Sequence, residues 1–182
     1  MARLAVFILI TVGLTVLSWR ALKDPSSHGF WRFFAFVAVT AQVLLALPFW
    51  LRRPFSWNQV ASWLLLTVSL SLVIAGVCWL RKIGGHRSRK TSSANYEFEN
   101  TAQLVTTGPY HWIRHPMYSS LLFLSWGAFS KHPALVGLGV ALLATFFLWW
   151  TARVEEGENL RAFGNEYAAY MKKSKMFIPF LI

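Results

Sequence analysis

The chain has 182 residues, of which 55% are hydrophobic and 16% aromatic, with a mean hydropathy of +0.44 and only 14% charged. That balance excludes an ordinary soluble domain, which carries more charge, and the length allows one domain. The net charge of +11 falls in the loops between apolar runs, the distribution that membrane topology predicts and nucleic-acid binding does not.

Apolar runs occupy Leu4–Leu22, Phe33–Leu51, Val60–Leu80, Met117–Phe129 and Pro133–Trp150. The first three are long enough for a helix to cross a hydrocarbon core of about 30 Å. The stretch after Arg3 has no small-residue cleavage site, since Ser18-Trp19-Arg20 is bulky, and reads as a retained span. Cys78 lies within the third run, excludes an intrachain disulfide, and reads as a small buried hydrophobe. The fourth run is short and is separated from the fifth by Ser130-Lys131-His132, which predicts a helical hairpin. The expected fold is therefore all-α: a polytopic membrane protein with about five transmembrane helices, the last two a hairpin, followed by an amphipathic cytoplasmic C-terminal helix.

With five spans, one side holds 4 Lys/Arg (Arg3, Arg52, Arg53, Lys131) and the other holds the remaining 14. Positive charge marks the cytoplasmic side, so the N-terminus is expected outside and the C-terminus in the cytoplasm, in the inner membrane if the source is bacterial. Trp19, Trp31, Trp50, Trp57, Trp79, Trp149 and Trp150 fall at run ends and read as interfacial anchors. Gly84–Asn100 is polar and basic and reads as a loop over the membrane surface, in reach of anionic lipid heads. The chain divides as one domain, 1–182: a three-helix scaffold over 1–80, a cytoplasmic loop and motif over 81–118, the hairpin over 119–152, and a C-terminal helix and tail over 153–182.

Two polar clusters stand at the edges of these runs. Gly108-Pro109-Tyr110-His111-Trp112-Ile113-Arg114-His115-Pro116-Met117-Tyr118 is broken by two prolines, which disfavour helix at the residue before them, and opens on a glycine with torsional freedom. This predicts a shaped loop, or a proline-bounded helical turn, with aromatic faces that suit a purine ring. A proline-rich interfacial turn explains the same residues. His111 and His115 have metal-ligand spacing on a helix, but Pro116 and the lack of a nearby Cys or Asp argue against a metal site.

The second cluster begins at Glu155-Glu156. Glu156, Leu160, Phe163, Tyr167 and Tyr170 recur at steps of four, three, four and three, one face of an amphipathic helix. Glu156 then opens a buried stripe, and a carboxylate there requires a partner: Arg114, Arg153, or a ligand. The apolar tail Met176–Ile182, with Pro179, is expected to fold back over the site or to anchor at the interface.

Together these residues resemble the integral-membrane methyltransferases grouped around isoprenylcysteine carboxyl methyltransferase, with the phospholipid methyltransferases as relatives. The pattern is Leu104-Val105, Gly108-Pro109-Tyr110, Arg114-His115-Pro116 and Tyr118, then Glu155-Glu156, Phe163-Gly164, Tyr167 and Tyr170, ending near Pro179. It covers the C-terminal half, and its specificity lies in the combination. The resemblance implies S-adenosyl-L-methionine as cofactor on a fold unrelated to the dinucleotide-binding one, whose Gly-rich motif is absent here.

Carried over by position, the cofactor contacts are Gln103, Leu104, Val105, Tyr110, His115, Pro116, Met117, Tyr118 and Glu155. Glu155, Glu156, Arg153 and Arg114 are the candidates for catalysis. In the carboxyl methyltransferases an arginine implicated with the substrate carboxylate precedes the first Glu by four residues; Thr151 stands there in this chain. A prenylcysteine carboxylate, a phospholipid amine, a thiol or another lipid-borne nucleophile therefore all stay open as acceptor. The expected partners are a lipophilic or lipidated substrate from the bilayer and membrane lipids, with no nucleic acid, no metal and no obligate protein partner. The alternatives are a nicotinamide-dependent membrane reductase of the sterol reductase type and a non-enzymatic small membrane protein.

Overall fold

A computed structural model describes residues 1–83 and 103–181; the surface loop expected over Gly84–Asn100 lies outside the described residues. Within them the protein is all-α, with seven α-helices and no strand. They are α1 (Ala2–Leu17), α2 (His28–Ala46), α3 (Trp57–Ile83), α4 (Pro109–Trp112), α5 (Pro116–Lys131), α6 (Leu135–Phe163) and α7 (Asn165–Lys173). By length and composition three helical stretches suffice to cross a membrane: His28–Phe49, Trp57–Ile83 and Leu135–Phe163. The first run forms a helix of only 16 residues, as does α5, and at a rise of ~1.5 Å per residue each is roughly 24 Å long.

Helix ends follow local chemistry. Ser27 caps α2, its hydroxyl accepting from the Phe30 N–H at 3.4 Å, so α2 starts five residues before the apolar run does. The 29 residues of α6 run past Trp150 and carry Glu155 and Glu156 beyond the apolar stretch. Gly164 then breaks the helix at φ +56. The stripe from Glu156 to Tyr170 is therefore not one helix face. Glu156 and Phe163 belong to α6, Tyr167 and Tyr170 to α7, and Leu160 is exposed.

Helix pairing rests on small and polar side chains. The buried residues of α3 are Gln59, Ser62, Ser69 and Gly76, the last three at steps of seven. Ser62 Oγ donates to the Gly127 carbonyl and Ser69 Oγ to the Ser120 carbonyl, each at 2.7 Å, while a Cβ on Gly76 would stand 3.3 Å from Met117 Cγ. Against lipid, where apolar burial no longer drives association, close backbone approach and interhelical hydrogen bonds hold α3 to α5. The seam between α2 and α6 follows the same rule: Ala35 clusters with Leu148 and Ala152, and Ala141 and Ala144 of α6 are likewise fully buried. With its amide oriented so that donors meet acceptors, Gln42 donates to the Gly137 carbonyl at 2.9 Å and accepts from the Phe129 N–H at 3.2 Å.

Three sequence expectations need correction. Lys131 is not a loop charge: it is buried, donates to Gln59 Oε1 at 2.9 Å and sits 3.4 Å from the centroid of Trp63, a cation–π contact that stabilises the ammonium. Cys78 is exposed on α3 instead of buried, because it lies off the stripe of Ser62, Ser69 and Gly76 that α3 buries. Trp79 is more than an interfacial anchor, since its ring lies against Gly108.

These pairings set the helix directions. His28 at the start of α2 meets Glu158 near the end of α6. Tyr110 reaches Gly76 near the end of α3, and Lys131 at the end of α5 meets Gln59 at the start of α3. The starts of α2 and α5 and the ends of α3 and α6 thus share one end of the bundle, and both polar clusters lie there.

Candidate active site

The first cluster is held by its own backbone chemistry. Gly108 sits at φ 62, ψ −133 as the cap of the single turn α4, with Pro109 in its first position. A Cβ there would lie 2.3 Å from the Trp79 indole, so both the torsion and the space demand glycine. Ile113 leaves the helix and forms a parallel bridge with Lys175. The Arg114 N–H donates to the Lys175 carbonyl at 2.7 Å, the His115 N–H to Met176 at 3.2 Å, and the Lys175 N–H to Trp112 at 3.0 Å. Ser119 Oγ donates to the Phe177 carbonyl at 2.8 Å. The tail after α7 therefore folds back along residues 112–115, and Met176 and Phe177 enter the core beside Tyr118, Ala35 and Ala152.

The two clusters meet in one concavity of about 620 Å³, part of it open to solvent. Its walls are Leu80 of α3, Leu104 and Val105, Tyr110 of α4, Arg114 and His115, Pro116, Met117 and Tyr118 of α5, Glu155, Asn159 and Phe163 of α6, and Tyr167 and Tyr170 of α7. Apolar and aromatic walls with a few convergent polar groups are the usual character of a small-molecule site.

Glu155 and Glu156 are adjacent in sequence but do different things. The Glu156 side chain is 3% exposed, and its Oε1 accepts from Arg114 Nε at 2.6 Å. The same guanidinium donates through Nη1 to the Met171 carbonyl at 3.3 Å and to the Ser174 carbonyl. Arg114 thereby ties α6 to the end of α7. The Glu155 side chain is 29% exposed and faces the cavity, with His115 Nδ1 3.9 Å from its Oε2. Tyr118 lies in hydrogen-bonding range of the Glu155 carboxylate, and His115, His28 and Arg32 act on it electrostatically. His115 is buried, stacked on Tyr118 at 5.4 Å. Its Nε2 stands 3.5 Å from Glu156 Oε1 in a poor line for a hydrogen bond, and both His115 Nε2 and Glu156 Oε2 lack partners among the described residues. Buried polar atoms without a protein partner call for water or ligand.

Tyr167 and Tyr170 close the far wall. Tyr170 donates to the Tyr110 carbonyl at 2.5 Å, locking α7 onto α4. Burial raises its phenol to about 12, and burial beside the two carboxylates raises Tyr167 further. Both are neutral donors at physiological pH.

The structure gathers most of the residues named from sequence: Leu104, Val105, Tyr110, Arg114, His115, Pro116, Met117, Tyr118 and Glu155 all line the cavity. Gln103 is exposed and off the wall. Arg153 is also exposed and off it, because two residues along a helix is about 200° of rotation from Glu155. Thr151 is buried with its hydroxyl bonded to the Phe147 carbonyl at 2.6 Å, and brings no charge. Asn159 and Leu80 were missed. Asn159 is legible as the position four after Glu155; Leu80 has no local signal. Among the described residues no group of three or more His, Cys, Asp or Glu is placed to hold a metal.

Residues 57–166 match the phospholipid methyltransferase family. Among curated proteins, the chain is 32% identical over 147 residues to human protein-S-isoprenylcysteine O-methyltransferase, covering 74% of this chain and 48% of that protein. It is 32% identical over 127 residues to the protein of that name from Rattus norvegicus, covering 64% of this chain and 42% of the relative. For the Xenopus laevis protein the identity is 29% over 150 residues, with 70% and 51% covered. The chain spans about half the length of the curated relatives it matches.

Proposed function

The chain belongs to the phospholipid methyltransferase family, and from that premise we propose that it is an integral-membrane enzyme that transfers a methyl group from S-adenosylmethionine to a nucleophile on a lipophilic, membrane-borne acceptor. One observation carries this reading: the proline-flanked segment and the acidic end of α6 converge on a single cavity at one end of the bundle, with Glu155 and His115 both in its wall.

The residues present suit that cofactor. The cavity walls are mostly apolar and aromatic with a few convergent polar groups, the usual character of a cofactor site. Glu155, a carboxylate in the wall, complements a cationic sulfonium or ribose hydroxyls. Tyr110, His115 and Tyr118 offer faces for adenine and for the methionyl part, while Leu104, Val105, Pro116 and Met117 supply apolar walls. Bound there, the cofactor supplies a methyl group activated by the positive charge on sulfur.

The protein's own task is alignment and dryness. Arg114, through Glu156 and the carbonyls of Met171 and Ser174, holds the two walls at a set distance, which in-line transfer requires. The tail packed along 112–115 and the apolar walls exclude water, and charge dispersal in the reaction benefits from that exclusion. Where the acceptor nucleophile carries a proton, His115, in the cavity wall with Nδ1 towards Glu155, is the imidazole available to take it. Arg153, exposed and off the cavity, has no part in this reading. The acceptor spans the classes that the relatives' names and the family suggest, a prenylcysteine carboxylate or a phospholipid amine, and extends to a thiol or another lipid nucleophile.

All 182 residues act here as one unit, with α1–α3 as scaffold. The chain crosses the membrane five times, α5 and α6 forming the closing hairpin and α7 lying at the cytoplasmic surface. The alternation of helix directions and the excess of Lys/Arg at the cavity end support this placement, with the cavity facing the cytoplasm and the N-terminus outside. The test is incubation of the purified chain with S-adenosylmethionine labelled in its methyl group and a total lipid extract, followed by identification of the labelled product. A labelled lipid is expected; absence of both labelled product and cofactor binding sinks the reading.

A further inference from the structure

The family match begins at residue 57, yet an element before it reaches the acidic end of α6. The first turn of α2 has no acidic residue of its own, so its free N–H groups and positive end lack a local anion. Glu158, 130 positions on, supplies one. Its Oε1 accepts from the His28 N–H at 3.0 Å, and its Oε2 stands 2.8 Å from His28 Nδ1. Both carboxylate oxygens are engaged, and donation to a carboxylate places a proton on His28 Nδ1. His28 is 2% exposed, so this is a built-in joint and not a surface ion pair.

Glu158 does not line the cavity, but Glu155, one turn earlier on the same side of α6, does. Arg32, one turn along α2 from His28, is also buried, and both basic residues act electrostatically on the Glu155 carboxylate. Elsewhere along the seam between α2 and α6, Trp31 and Phe34 stack on Phe147 and Gln42 bonds the Gly137 carbonyl near the start of α6. At the cavity end, the bidentate contact of Glu158 with His28 is what joins α6 to α2 by hydrogen bonds.

We propose that His28, backed by Arg32, is a positioning residue of the cofactor site: by clamping Glu158 through Nδ1–H and its backbone N–H, it sets the rotation of α6 and holds the Glu155 carboxylate in the cavity. This rests on reading the cavity as the S-adenosylmethionine site. It makes α2 part of the working site, although the family match does not include it.

The experiment compares the full-length chain with His28→Asn, His28→Gln and His28→Ala, measuring S-adenosylmethionine Kd by calorimetry in detergent and Tm without ligand. Asparagine places its amide N–H where Nδ1–H stands, and glutamine places it near Nε2. His28→Asn is expected to bind within about threefold of wild type, and His28→Ala and His28→Gln about tenfold more weakly, the scale seen when a group that orients a ligand is removed. The wild type and His28→Asn should share one Tm, and the losses in the other two should persist well below their own Tm. Glu158→Gln, with the charge removed and the shape kept, should fall between. Wild-type affinity in a folded His28→Ala overturns the inference. Equal losses in His28→Asn and His28→Gln, or losses that disappear below Tm, overturn it too. If His28→Ala does not fold, the Asn and Gln pair alone decides. Failure of the wild type to bind S-adenosylmethionine would instead refute the cavity assignment, and this proposal with it.

Discussion

Arg114 Nε lies 2.6 Å from Glu156 Oε1, with the two side chains only 10% and 3% exposed. The partners are 42 positions apart in sequence and join the proline-flanked segment to the acidic helix. Removing one member of a buried pair strands the other's charge, at a cost of about 3–5 kcal/mol. Arg114→Ala is therefore expected to lower the Tm steeply in detergent. Glu156→Gln, which leaves an amide oxygen to accept from Nε, should lower it less. Equal, small shifts in the two variants would show that the pair is not a structural tie.

Glu155 is the contrasting case. It is partly exposed in the cavity wall. Glu155→Gln should leave the Tm close to wild type while weakening S-adenosylmethionine binding about tenfold, near 1.4 kcal/mol. Calorimetry showing unchanged affinity would remove Glu155 from the site. Tyr118→Ala should weaken binding as well, whereas Trp57→Ala is the proper aromatic control because Trp57 is 88% exposed. Trp50 is unsuitable as that control, since it lies 5.2 Å from the buried Lys131 ammonium.

Two glycines test backbone strain against space. Gly108 and Gly164 share nearly the same torsions, φ 62, ψ −133 and φ 56, ψ −129, which cost other residues about 1–3 kcal/mol. Nothing lies within 4 Å of a Cβ on Gly164, whereas one on Gly108 meets the Trp79 indole at 2.3 Å. Gly164→Ala should lower the Tm by the torsional cost alone. Gly108→Ala should lower it further, and adding Trp79→Ala should recover the difference. No recovery in the double variant would mean that Trp79 does not set the position of the loop.

Alkaline titration tests the α7 contact. The Tyr170 phenol is raised from 10.0 to about 12, so the folded protein binds its proton more tightly than the unfolded chain does. That contribution to stability is complete below pH 10 and is lost as the pH rises from 10 towards 12. The Tm should fall across this window, and Tyr170→Phe should show a shallower fall from a lower starting value. Parallel curves for the two proteins would show that Tyr170 ionises freely.

Much of the site was legible in the chain because its signals are local. Proline and glycine mark the shape of residues 108–116 wherever the helices go, and apolar run length marks membrane helices before any packing is known. The pattern that resembles the membrane methyltransferases led to a cavity wall in which, of the named residues, only Gln103, Arg153 and Glu156 have no place, Glu156 being tied behind it to Arg114. Periodicity misled at Gly164, where a pattern continuous in sequence is split by one residue with positive φ.

By itself, then, the sequence determined the all-helical class, the polar end of the bundle, the glycine and proline turns and the membership of the family, since each depends on residue type and short spacing. Only the tertiary structure decided which glutamate faces the cavity and which is tied to Arg114, that Lys131 is caged by tryptophan, that the tail pairs with residues 112–115, and that His28 grips Glu158. Those choices follow from helix rotation and from contacts across as many as 130 positions, and no local pattern encodes either.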